Sequence, residues 1–183
     1  MVRHAAVITL LVLIARPAAA EVISANAAGF LVEHEIIVAA ERTAVWHAAV
    51  NEVGAWWSDD HTVSGDARRV SIDARPMGCF CEMLGGDDGV VHLIVTSVSR
   101  NVMLRLTGGL GPLGLMGVSG NMTWEFFDAG EGATRVRFTY AVGGYSSDGL
   151  DSLAGPVDAV IGDALGHLKT HAESGIGDEP AHD

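Results

Sequence analysis

The order of patterned segments between residues 30 and 142 constrains the fold of this chain most strongly. Short alternating or β-branched stretches follow one another with tight turns between them, which is typical of an antiparallel meander. The predicted strands cover residues 30–38, 70–75, 79–84, 90–98, 102–107, 122–127 and 134–142. A sheet with one apolar face must bury that face against another element, so a covering layer is required.

A long amphipathic helix at the end of the chain can supply that cover. Its apolar stripe at helical spacing consists of Leu153, Val157, Val160, Ile161, Ala164, Leu165, Leu168 and Ala172. Pro156 fits the first turn of this helix or kinks a longer one, and Gly175 and Gly177 end it. A twisted sheet bent round one helix leaves space between the two layers, where a ligand can sit. The predicted class is therefore α+β, with a curved sheet of about seven strands.

A shorter helical region separates the first two predicted strands. Thr43 is a candidate N-cap, and the apolar residues Val45, Trp46, Ala49 and Val50 follow it at helical spacing. The sequence at residues 54–57 (GAWW) breaks this pattern and predicts a second, short helix.

The first 20 residues have the pattern of a signal peptide. Arg3 precedes an apolar run at residues 5–15, and three alanines at 18–20 form a small-residue cleavage site. Eleven apolar residues are too few to span a bilayer, although an uncleaved anchor or a buried helix is an alternative. We expect one exported domain at residues 21–183, with its core at about 28–173 and no stable membrane span after cleavage. The protein would be periplasmic or secreted.

The charge of the chain argues against nucleic-acid partners. The full chain has 11 Lys and Arg residues against 23 Asp and Glu residues, a net charge of −12. Removal of residues 1–20 takes away Arg3 and Arg16 and makes the chain more negative still. Such a field repels phosphate backbones, and it leaves any protein partner unspecified.

The element order and several local motifs resemble a known superfamily. The motifs are Val45-Trp46 (VW), Trp56-Trp57 (WW), residues 78–82 (GCFCE) and residues 156–158 (PVD). Over about residues 28–173 the chain resembles the SRPBCC, START-like or Bet v 1-like, superfamily. Its nearest subgroups are the domains similar to the C-terminal domain of the Hsp90 ATPase activator and the polyketide cyclase-like proteins.

The resemblance implies a helix-grip fold with an internal cavity. Members of the superfamily bind lipids, sterols, plant hormones or polyketides, some are cyclases or hydrolases, and others act as co-chaperones. There is no shared catalytic motif to transfer, and export would separate this chain from a cytosolic chaperone. We therefore expect an exported binding protein for a small hydrophobic ligand, with no cofactor and no metal.

Strand alternation nominates the residues that line the predicted pocket. The candidates are Trp57, Met116, Met122, Trp124, Phe138 and Tyr140. The alternative is that such inward side chains fill a solid core. The glycine-rich stretch at residues 106–118 carries several apolar side chains, so it either folds back on the core or forms a lid over the pocket.

Two other functions remain open from the sequence. A cyclase- or hydrolase-like enzyme could use His34, Glu82 and Tyr140 as acid–base groups, provided that at least two of them converge in one dry pocket. His34 also fits a buried core position. A chaperone-like, partner-binding domain would instead show a large exposed apolar patch and a closed or tiny cavity.

The cysteines and the histidine-rich segments indicate no metal site. Cys79 and Cys81 share one face of a strand with their Cα atoms about 7 Å apart, which favours two free thiols over a strained disulfide or a soft-metal site. The helix residues Asp163, His167 and His171 recur every four positions, and a solvated face explains them best. The cluster of Asp59, Asp60, His61 and Asp66 is typical of a solvated loop, with a weak cation site as the alternative.

Overall fold

The computed structural model of the protein describes residues 21–175 as a single antiparallel sheet covered by helices. The strands are β1 Glu21–Asn26, β2 Gly29–Val38, β3 Val70–Ile72, β4 Cys79–Gly85, β5 Asp88–Ser99, β6 Met103–Gly108, β7 Gly117–Gly130 and β8 Ala133–Tyr145. Their order in the sheet is β1-β2-β8-β7-β6-β5-β4-β3. The signal segment predicted at residues 1–20 lies outside the described residues, as does the predicted helix stop at Gly177.

The observed α+β architecture is consistent with the predicted helix-grip fold, with eight strands rather than about seven. The additional strand is β1, which pairs with β2 in a hairpin from Glu21 opposite Glu33 to Asn26 opposite Gly29. The Asn26 side chain accepts a hydrogen bond from the Ala28 N–H at 2.8 Å and stabilises the turn. The sequence did not predict this strand, because residues 21–26 show no regular alternation of buried and exposed positions.

The helices are α1 Arg42–Asn51, α2 Val53–Trp56 and α3 Asp151–Ser174. The prediction of Thr43 as an N-cap is wrong, because α1 begins at Arg42 and Glu41 occupies the cap position, two residues earlier. Pro156 lies inside α3 rather than in its first turn, since the helix begins at Asp151. The helix ends at Ser174, immediately before Gly175, as predicted.

A solid core lies beneath β2, β7 and β8. The alternation predicted for β7 and β8 is confirmed, because Met122, Trp124, Phe126, Val136, Phe138, Tyr140 and Val142 are all buried. The rings of Trp124 and Phe138 meet edge to face with centroids 4.9 Å apart. The Trp46 ring of α1 meets Phe126 in the same way at 5.2 Å, so the helix layer and the sheet interlock here. We call this region the packed end.

The opposite end of the sheet has a different cover. Helix α3 packs mainly against β1, β2, α1 and α2, rather than against β4 and β5. The inner faces of β4 and β5 are instead approached by the first half of α3 and by residues 109–116, which include a 3-10 turn at Gly111–Leu115. We call this region the open end, because the two layers do not meet there.

Cys79 and Cys81 form a disulfide, so the expectation of two free thiols is wrong. Their Cα atoms are 5.4 Å apart, closer than the spacing of about 7 Å in a regular strand. The contraction coincides with a break in the pairing of β4 with β5, where the register shifts between Phe80 and Cys81. At this separation the two side chains lie within the range that a disulfide requires.

Candidate functional site

A cavity of about 650 Å³ lies at the open end, between the first half of α3, the inner face of β4 and β5, and residues 109–116. Its walls are predominantly apolar and include Phe80, Val157 and Ile161. A volume of a few hundred cubic ångströms with apolar walls is typical of small-molecule sites in proteins. The chaperone-like alternative requires a closed or tiny cavity, and the structure has a large one.

The segment at residues 109–116 forms one wall of this cavity. Leu113 is buried beneath it, whereas Leu110 and Met116 are half-buried. Gly109 allows the segment to fold tightly, since a Cβ atom there would lie 2.6 Å from the backbone of Leu113 and Gly114. The segment therefore covers the cavity with apolar side chains on a glycine-rich backbone.

Tyr140 fastens this segment to the sheet. Its hydroxyl donates a hydrogen bond to the Gly108 carbonyl at 3.0 Å and accepts one from the Leu110 N–H at 3.1 Å. Burial raises the pKa of this hydroxyl above its ordinary value, against the opposing effect of the Leu110 hydrogen bond. With both hydrogen-bonding roles in use, Tyr140 acts as an anchor for the cover rather than as a free acid or base.

The cavity opens to solvent through an apolar rim. Three lining residues are strongly exposed, namely Val63 at 62%, Val91 at 57% and Leu115 at 93% of their surface. Asp60 and His61 also lie at this mouth. Because exposed aliphatic side chains are costly in water, a rim of them favours an apolar molecule at the entrance.

A buried carboxylate–imidazole pair forms the polar part of the cavity wall. Glu82 is 0% exposed, and its Oε2 lies 3.1 Å from Nε2 of His92, a cavity-lining residue that is 7% exposed. The backbone N–H of Val63 donates to Oε2 at 3.0 Å, and that of Ser64 donates to Oε1. The pair thus joins β4, β5 and the loop that follows α2.

The environment of Glu82 favours its ionised form. Burial by itself raises the pKa of this carboxyl, but hydrogen bonds from Ser64, Val63 and His92 outweigh burial and lower the pKa to about 2. A charged carboxylate is thereby maintained behind His92 over the whole physiological pH range. Such an arrangement fixes the orientation of an imidazole ring.

Three of the six nominated ligand-binding residues line the cavity, and three do not. Trp57, Met116 and Tyr140 are lining residues. The indole N–H of Trp57 donates to the His61 carbonyl at 3.0 Å, which holds its ring at the cavity. Met122, Trp124 and Phe138 are buried in the aromatic cluster of the packed end and do not reach the cavity.

The three nominated acid–base residues do not converge in the cavity. Only Tyr140 lines it, while Glu82 lies behind His92. His34 is buried at the packed end, with its Nε2 atom 2.8 Å from Oδ1 of Asp158 on α3. The angle between these two groups is unsuitable for a hydrogen bond, and neither atom has another partner among the described residues.

His92 is the polar cavity-lining residue that the sequence did not predict. Val91 pairs with Cys81 and Leu93 pairs with Phe80, so His92 is the extra residue of the bulge in β5. The bulge turns both His92 and Leu93 inward, whereas regular alternation would turn one of them out. The one available signal is a histidine within an otherwise apolar strand, residues 90–95 (VVHLIV).

The other polar clusters serve structural roles. His171 meets Glu52 at 2.8 Å, and Asp163 and His167 are exposed. Asp59 accepts the Ala67 N–H, and Asp66 binds the Arg68 side chain. Within residues 21–175, no three His, Cys, Asp or Glu side chains are placed to hold a metal ion. Over the same residues, no helix combines the length and the apolar character needed to cross a membrane.

The chain is similar to several solved structures. An uncharacterised protein from Rhizobium leguminosarum superposes with a TM-score of 0.58 at 19% identity, covering 82% of this chain and 97% of that one. EF2215, a conserved protein of unknown function from Enterococcus faecalis, gives 0.57 at 12% identity, covering 87% and 80%. DynU16, from the dynemicin biosynthetic locus, gives 0.54 at 20% identity, covering 79% of this chain and 48% of that one.

These similarities establish the fold alone. The identities are too low to carry an activity from one protein to another. No family model and no curated protein matches the chain.

Proposed function

We propose that this protein is an exported member of the SRPBCC superfamily that binds a small hydrophobic molecule in the cavity at the open end. The observation that carries the proposal is the cavity itself, about 650 Å³ in volume, with apolar walls and an apolar rim. A core that served stability alone would be filled, since interiors pack at the density of organic crystals. The lining residues Trp57, Met116 and Tyr140 would contact the ligand.

The Cys79–Cys81 disulfide supports the exported location. Disulfides form and persist in oxidising compartments and are rare in the cytosol. The signal-peptide pattern at residues 1–20 leads independently to the same location. The proposed location of the mature protein is therefore the periplasm or the outside of the cell.

The binding function is tested with the neutral dye N-phenyl-1-naphthylamine, whose fluorescence increases in apolar surroundings. We expect saturable binding of one dye per chain. The variant Val157→Trp fills the cavity from α3 and should abolish the fluorescence increase. The matched control Ile37→Trp adds the same ring on the exposed face of β2 and should leave binding unchanged.

Two results would count against binding in this cavity. One is the absence of saturable dye binding together with no component of a host lipid extract that raises the melting temperature. The other is an equal loss of binding in both variants. If the dye does bind, native mass spectrometry of the protein purified from its own host would identify the natural occupant of the cavity.

A cyclase- or hydrolase-like enzyme is the second candidate, and the Glu82–His92 pair favours it. A carboxylate that orients an imidazole at the wall of an apolar cavity is an arrangement used for general base catalysis. DynU16, which shares the fold, belongs to a biosynthetic locus. Conversion of a host-extract component by the native protein, lost in His92→Phe, would support an enzyme; release of that component unchanged would support a binding protein.

A further inference from the structure

The two oxygens of Glu82 determine the hydrogen-bonding state of the histidine beside them. The Ser64 N–H donates to Oε1, and the Val63 N–H donates to Oε2. A carboxyl group whose two oxygens both accept backbone N–H bonds is best satisfied as a carboxylate, which only accepts hydrogen bonds. Any group that bonds to Glu82 must therefore be a donor.

His92 must then donate through Nε2. The Nε2 atom lies 3.1 Å from Oε2 of Glu82, a normal hydrogen-bond distance. A neutral imidazole carries one proton, so a proton on Nε2 leaves Nδ1 with a lone pair. The carboxylate thereby selects one of the two tautomers of the ring.

Within residues 21–175, the side-chain hydrogen bond of His92 runs through Nε2, and the residue lines the cavity. The hydroxyl of Tyr140, a polar neighbour in the lining, already uses both of its hydrogen-bonding roles on residues 108 and 110. A polar atom in an apolar cavity is costly unless it is paired, so a ligand that pairs with it gains affinity.

We propose that His92 presents a hydrogen-bond acceptor to the cavity and selects apolar ligands that carry a hydroxyl group, either an alcohol or a phenol. The inference rests on the proposed binding function and specifies its ligand class. An ether or a hydrocarbon of the same shape would leave Nδ1 unpaired, so the site would discriminate against it. Specificity would thus come from one oriented nitrogen in an otherwise unselective cavity.

The ligand class is tested with a matched pair of probes, 2-naphthol and 2-methoxynaphthalene, which differ in the hydrogen-bond donor. Affinities are measured by displacement of N-phenyl-1-naphthylamine, with all proteins in the same buffer. The measured quantity is the affinity for 2-naphthol divided by the affinity for 2-methoxynaphthalene. We expect this ratio to be about fivefold higher in the native protein than in His92→Phe. The control His34→Phe removes the other buried histidine, outside the cavity, and should preserve the native ratio.

The tautomer is measured independently by nitrogen NMR of the native protein, whose imidazole shifts show which nitrogen carries the proton. We expect the proton of His92 on Nε2, and a proton on Nδ1 alone would overturn the inference even if His92→Phe did not fold. Equal ratios in the native protein and His92→Phe would also overturn it, while leaving the binding function intact. Failure of both probes and the dye to bind would overturn the binding function and the inference together.

Discussion

Two histidines are buried within residues 21–175, and they have similar surroundings but different effects on the fold. His34 in β2 and His92 in β5 both face the inner side of the sheet, and each lies about 3 Å from a carboxylate. The partner of His34 is Asp158 on α3, so that pair spans the two layers. The partner of His92 is Glu82 on the adjacent strand, so that pair stays within the sheet.

This difference parallels the contrast between the solid end of the molecule and the hollow one. A polar pair between layers requires the helix and the sheet to approach closely, as they do where α3 packs on β2. A polar pair within the sheet makes its mutual hydrogen bond between neighbouring strands and places no demand on the helix. The space above Glu82 and His92 can therefore stay free for a ligand.

The largest expected contrast is between two leucines of α3. Leu168 is completely buried at the packed end, whereas Leu153 lines the cavity and is half-buried. We expect Leu168→Ala to lower the free energy of unfolding by about 2–5 kcal/mol, because it creates a new void. Leu153→Ala only enlarges an existing one and should cost less than about 1.5 kcal/mol. Urea unfolding of both variants measures the contrast, and equal losses would contradict it.

Acid should act on the open end through Glu82. Its pKa of about 2 lies below the ordinary value of 4.5, so its ionised form contributes stability that is complete above the ordinary value. That contribution, about 3 kcal/mol at most, is lost as the pH falls from the ordinary value through the folded pKa. We expect Glu82→Gln to flatten the acid limb of a stability–pH curve measured by urea unfolding. Parallel curves for the native protein and the variant would contradict this assignment.

Removal of the Cys79–Cys81 disulfide, which also lies at the open end, should have the smallest effect on the free energy of unfolding. Closing a loop of only three residues stabilises the fold by about 1.5 kcal/mol in the chain-entropy account. We expect the double variant Cys79→Ser, Cys81→Ser to lose about that much stability. Amide hydrogen exchange should accelerate in β4 and β5 and stay unchanged in β2 and β8. Uniform acceleration across the sheet would show that the two ends are not independent.

Much of the fold was predictable because alternation and helical spacing are local properties. Seven strands, α1 and the long C-terminal helix follow from where apolar residues recur. Strand β1 gave no such signal, since its role is to pair with the edge of β2 while most of its residues stay exposed. Strand β3 ends at Ile72 rather than at 75, because the chain turns away before Cys79.

The cavity was predictable only in outline. The inward positions of β7 and β8 are correctly assigned, but the sequence does not show how far the covering helix lies from each strand. Trp124 and Phe138 therefore fit a pocket as well as a core in the sequence, and the structure places them in the core. The bulge was the decisive omission, since it turns His92 inward and coincides with the close approach of Cys79 to Cys81.

Gly120 in β7 has a consequence for the mutational tolerance of the cavity cover. A side chain at this buried position would begin 2.5 Å from Cε2 of the Tyr140 ring, so any larger residue displaces the ring that holds Gly108 and Leu110. The position is thus linked to a segment ten residues earlier in two ways, by its ladder pairing with Gly108 and through the Tyr140 ring. A library that diversifies the cover for new ligands should vary residues 110, 113 and 116 and keep Gly120 fixed.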